Sequence, residues 1–189
     1  MGFARARARK AKKDRKDNIS RAEKREQRAS RGVRNAYVYQ MAYDHAVRQT
    51  ALENLSAVFL YAMHEKYQFG AGRLARLRGK MQSEFDAIIA KNVSVEEISE
   101  YLTNEIGLYC GEGTPNDKSR QRLIEFKAVK EMSAAFLMAL LDEFGYKKKR
   151  LGDAYMHCAD LSVRLDEKKI TYDEIREKIK EVFRKGNRA

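Results

Sequence analysis

The sequence predicts an all-α fold in which a three-helix unit is used twice, giving about six helices, behind a basic N-terminal arm. Three observations carry that prediction. Apolar residues recur at mixed three- and four-residue spacing, the pattern an amphipathic helix requires. The 189 residues hold a single proline and no long β-branched alternation of the kind that marks strands. A shift of 77 residues lays Leu55 to Leu102 over Met132 to Ile179 without a gap. Self-similarity in one register implies one supersecondary unit used twice.

The arm comes first. Residues 1–34 hold 14 of the 39 Lys and Arg residues and four acids, so they carry +10 of the formal +12, and the remaining 155 residues carry +2. Arg5, Arg7 and Arg9 alternate with alanine, and Lys10, Lys12, Lys13, Arg15 and Lys16 follow with little apolar interruption. A segment so charged repels itself and forms no core, which predicts an extended tip over residues 1–19. Ser20-Arg21-Ala22-Glu23 has capping-box spacing and predicts a helix start. Its exposed face is basic through Arg21, Lys24, Arg25, Arg28 and Arg31, with Arg34 following, and Gly32 is a candidate break.

The first unit spans residues 35–106. Its first helix carries Tyr37, Met41, Val47, Ala51, Leu55, Val58, Phe59 and Ala62 as an apolar stripe and ends near Phe69-Gly70. The second carries Leu74, Leu77, Met81, Phe85 and Ile88. The third starts at the capping box Ser94-Val95-Glu96-Glu97 and buries Ile98, Leu102 and Ile106. A linker over 107–118 holds Gly111, Gly113 and Pro115. The second unit, 119–185, repeats the plan through Leu123, Phe126, Val129, Phe136, Leu137, Leu140 and Phe144, then Leu151, Tyr155, Leu161 and Leu165. Its last helix begins at Thr171-Tyr172-Asp173-Glu174 and continues through Ile175, Ile179 and Phe183. A unit of about 50 to 60 residues is marginal alone, so the two are expected to pack together.

Few residues suggest reactive chemistry. Cys110 and Cys158 form no paired ligand motif and read as reduced, buried thiols. His45, His64 and His157 do not assemble the three or four convergent ligands that zinc needs. Gly70-Ala71-Gly72 follows a helix and lacks the third glycine of a dinucleotide fingerprint. The acid pairs Glu96-Glu97 and Asp173-Glu174 stand at helix starts, where the macrodipole favours them. No catalytic residue, metal or cofactor is assigned, and the expectation is a protein that is not an enzyme.

Positive charge does recur where the dipole disfavours it. Arg73, Arg76 and Arg78 open the second helix of the first unit, and Lys147, Lys148, Lys149 and Arg150 occupy the equivalent start in the second. Two readings are open. These are phosphate sites built on free N–H groups, or Arg73 pairs with Glu65 and Arg150 with Asp142 across each hairpin. Tyr37, Tyr39 and Tyr43 stand beside the arm; Tyr37 shares its register with Met41 and is expected in the core, which leaves Tyr39 as the exposed ring able to stack on a base.

The longest apolar stretches reach about half the ~20 residues a bilayer span needs. Ala6 stands where myristoylation needs Ser or Thr, and acids in the arm oppose a transit peptide. A soluble protein of the bacterial cytoplasm is expected.

The strings Met63 to Leu74 and Leu140 to Leu151, each followed by a Ser/Thr-x-Asp/Glu-Glu-Ile helix start, resemble an element of small basic phage and prophage accessory proteins of Gram-positive bacteria. The resemblance covers about half the chain. Anti-CRISPR inhibitors come from the same class of genes, so it implies a Cas effector ribonucleoprotein as a partner. With the arm's charge, it gives a leading expectation of a nucleic-acid or ribonucleoprotein binder that occludes a nucleic-acid channel. A DNA-binding transcription or replication regulator, and a structural module of a virion or ribosome, are the alternatives.

Overall fold

A computed structural model of the chain describes residues 2–108 and 117–186, with side chains from Arg25 onward except that of Gln27. Cys110, Pro115 and most of the expected linker lie outside the described residues. Among the described residues six helices follow in order: α1 (Gly2–Tyr67), α2 (Ala71–Ile89), α3 (Val95–Asn104), α4 (Arg120–Phe144), α5 (Lys148–Asp166) and α6 (Tyr172–Gly186). The described residues contain no strand, and the fold is all-α. The chain divides into two compact units, Met1–His45 and Ala46–Ala189.

The first unit is a stretch of α1. This helix already runs from Gly2, so the tip expected to be extended over 1–19 is helical and Ser20 is not a helix start. Ala, Arg and Lys are among the strongest helix formers, and neither glycine nor proline interrupts the chain between Gly2 and Gly32. Charge repulsion was the competing term, and it does not prevail. Gly32 does not break the helix either; an internal glycine costs only about 1 kcal/mol relative to alanine. The expected burial of Tyr37 and Met41 also fails, since they are 65% and 54% exposed. Periodicity marks a face without saying what covers it.

In the second unit the 77-residue offset appears in the backbone. Tyr67 and Phe144 end α1 and α4, Ala71 and Lys148 begin α2 and α5, and Val95 and Tyr172 begin α3 and α6. Each pair is one offset apart. Left-handed residues recur in the same way, Gln68 (φ 52°) with Gly145 (φ 62°) and Lys91 (φ 59°) with Lys168 (φ 56°). After α2 the amide of Asn92 donates to Ala87 and that of Lys91 to Ile88, and after α5 Lys169 donates to Arg164 and Lys168 to Leu165. These are matched Schellman closures. Both capping boxes form: the Ser94 and Thr171 hydroxyls accept from the amides of Glu97 and Glu174, whose carboxylates accept from the amides of Ser94 and Thr171. Those bonds, from backbone first and hydroxyl second, hold the Glu97 and Glu174 carboxyls below their ordinary pKa.

The two repeats share one core. Leu74 with Leu151 and Ile98 with Ile175 are equivalent buried pairs, and all four join a single cluster with Phe59, Leu102, Phe136 and Ile179. α4 is central to it, packing against α2, α3 and α5, while α2 also meets α6. Leu123 and Val129, expected on the buried stripe of α4, are exposed; burial on that helix begins at Ala128 and is dense only from Glu131. Glu131, the one buried acid among the described residues, accepts from Arg48 at 2.7 Å.

Candidate nucleic-acid interface

The residues proposed from sequence fall in three places. Arg5, Arg7, Arg9, Lys10, Lys12, Lys13, Arg15, Lys16, Arg21 and Lys24 lie on the helical backbone of α1, with side chains outside the described set. Arg25, Arg28, Arg31 and Arg34 are exposed farther along the same helix, and Tyr39 is 76% exposed. Tyr37 and Tyr43 are exposed too. The helical register sorts these rings. Tyr39 and Tyr43 are four residues apart and share a face with Arg28 and Asn35, whereas Tyr37 joins Val33 and Met41 on another.

Arg76, Arg78 and Lys147 to Lys149 belong to the second unit. Gly70 and Lys147 are the N-caps of α2 and α5; both are extended, neither side chain caps, and neither first turn holds an acid. That contrasts with the acid-bearing starts of α3 and α6. Arg76 is internally engaged, 3.1 Å from Glu143 and 5.3 Å from the Phe144 ring centroid. Arg78, Lys147 and Lys149 are exposed and form no ion pair among the described residues.

The reading of Arg73 and Arg150 as hairpin ion pairs with Glu65 and Asp142 does not hold. Arg73 lies over the Phe69 ring and Arg150 over the Tyr146 ring, each with its guanidinium carbon 5.6 Å from the centroid. The two acids instead reach across to the other repeat. Glu65 takes hydrogen bonds from Arg164 at 3.1 and 3.3 Å and from the Tyr61 hydroxyl at 3.1 Å. His157 Nε2 stands 3.0 Å from the same carboxylate, close enough for an ion pair but without hydrogen-bond direction. Asp142 pairs with Lys80 at 3.2 Å. Burial pushes the Glu65 carboxyl upward, but Tyr61, Arg164 and His157 together outweigh it and hold the group below the ordinary value.

Other chemistry is muted. Burial pushes the Cys158 thiol up to about 12, which removes the thiolate needed for reactivity. Among the described residues no three His, Cys, Asp or Glu side chains gather as a metal would require. A cleft of about 600 Å³ lies between Tyr61, Glu65 and Gly70 on one side and Lys178 and Lys185 on the other. Its cations are held internally, Lys178 by the Tyr61 hydroxyl at 3.1 Å and Lys185 by Glu181 at 2.7 Å. Among the described residues no helix is long and apolar enough to cross a membrane.

What the sequence reading missed is the crossing of charge between repeats. The signal was present, because the offset that lays Glu65 on Asp142 also lays Lys80 on His157. Comparison with protein-family models, curated proteins and solved structures finds no match to this chain.

Proposed function

We propose that the chain is a non-enzymatic nucleic-acid-binding protein in which the basic stretch of α1 grips phosphate. One observation carries this reading: residues 1–34 hold +10 of the formal +12, and from Gly2 onward their backbone is a single helix. A duplex presents one negative charge per ~1.7 Å of axis with condensed counterions, and neutralising phosphates releases them. Arginines supply nine of the 14 cations, and their planar forks suit phosphate oxygens better than ammonium does.

The duplicated unit is a scaffold in this reading. Its recurrent residues serve core, caps and internal ion pairs, and among the described residues none is arranged as a nucleophile with a base. The resemblance to phage accessory proteins supplies a setting, in which the partner is a ribonucleoprotein and inserted cations compete with its substrate for a channel. Purification of the tagged chain at low salt, followed by a high-salt wash, tests both levels. Nuclease-sensitive material released by salt supports nucleic-acid binding, and an effector protein released with it supports the occlusion setting. Recovery of the chain free of nucleic acid at low salt contradicts the proposal.

A further inference from the structure

Resting on the nucleic-acid reading above, we infer that the ligand is single-stranded and that Tyr39 and Tyr43 form a stacking platform for its bases. Both rings are exposed, at 76% and 49%, although a phenol ring gains from burial. They stand one helical turn apart on the first unit. The same face carries Arg28 and Asn35 toward the N-terminus, with Arg25 one turn before Arg28, and all three are exposed. Cations followed by aromatic rings along one track match a strand whose phosphates and bases are both accessible. In a duplex the base faces are already stacked on each other, so exposed rings gain nothing there, whereas every unpaired base offers a π-face. The rings therefore choose between strand states where charge alone does not.

Labelled oligo-dT and oligo-U, and oligo-dA annealed to oligo-dT, are titrated at several salt concentrations with the full chain. The variants are Tyr39→Ala/Tyr43→Ala, Tyr39→Phe/Tyr43→Phe and Arg25→Gln/Arg28→Gln. The single strands are expected to bind more tightly than the duplex. The double alanine variant loses about tenfold to a hundredfold on single strands, with an unchanged salt slope and little change on the duplex. The phenylalanine variant keeps its affinity because the ring remains, and the glutamine variant flattens the salt dependence. With no tryptophan in the chain, ring stacking is also read directly as quenched tyrosine emission. Equal binding of duplex and single strands, unaltered by the alanine pair, overturns this inference and leaves the nucleic-acid proposal standing. Absence of binding to every probe at low salt overturns both.

Discussion

Phe59 stacks on Phe136, ring centroids 4.4 Å apart and planes 6° from parallel, and the two are the same position in the two copies of the repeat. A residue that meets its own counterpart lies on an approximate two-fold axis. The neighbouring contacts obey the same operation. Tyr67 meets Tyr146 and Phe69 meets Phe144, which are one contact and its exchange. Lys80 with Asp142 and His157 with Glu65 are another such pair. The duplication is thus an internal pseudo-dimer whose halves share one core.

The stack sets the first prediction. Phe59→Leu and Phe136→Leu each destabilise the chain by about 1–2 kcal/mol, through lost shape and ring contact. The double variant costs less than the sum by about 1 kcal/mol, because each single change already removes the ring pair. Denaturant unfolding of the four proteins measures this; strictly additive losses would refute the coupling.

Gln68 and Gly145 occupy the same left-handed position with different residues. A side chain there costs about 1–2 kcal/mol that glycine avoids. Gln68→Gly is expected to stabilise by about 1 kcal/mol, the loss of its 3.2 Å bond to the Glu65 carbonyl being minor at an exposed site. Gly145→Gln is expected to destabilise by a similar amount, and since an added Cβ at Gly145 meets nothing within 4 Å, the cost is backbone strain alone. Thermal unfolding midpoints moving in opposite directions confirm it; shifts of the same sign would not fit.

Glu65 makes stability depend on pH. Its carboxyl is lowered in the fold, against the upward push of burial, by Tyr61, Arg164 and His157. A lowered carboxyl contributes stability that is fully present above its unfolded pKa, about 4.3, and lost as pH falls through the folded value. Glu65→Gln is therefore expected to lower stability at neutral pH and to flatten its decline in acid. Unfolding free energies measured from neutral pH downward test this, and a variant with the same acid slope as the parent would contradict it.

Much of the fold was legible because the chain writes it twice. Ser94 to Glu97 and Thr171 to Glu174 are readable as caps from residue type and spacing, and the offset carries the ends of α2 and α5 with them. The start of α1 was not legible, since the helix propensity of alternating Ala and Arg opposed their mutual repulsion and composition alone could not rank the two. Tyr37 and Met41 show the same limit in packing. Their spacing continues the stripe that becomes buried at Ala57, yet spacing is blind to whether anything covers it. Of the candidate interface, Tyr39 was legible as exposed. Arg76 was not legible as engaged, because its partner Glu143 comes from the other repeat.

Phosphate binding by the basic stretch of α1 is tested most directly by the salt dependence of nucleic-acid affinity, measured for the full chain and for one lacking residues 1–34. If about half a dozen phosphates are neutralised, log affinity on a duplex falls with log salt at a slope of roughly −5. Removal of those residues is expected to abolish most of the affinity and nearly all of the slope, while the far-ultraviolet signal of the Ala46–Ala189 unit persists. An intact slope and affinity in the shortened chain would contradict phosphate binding by residues 1–34.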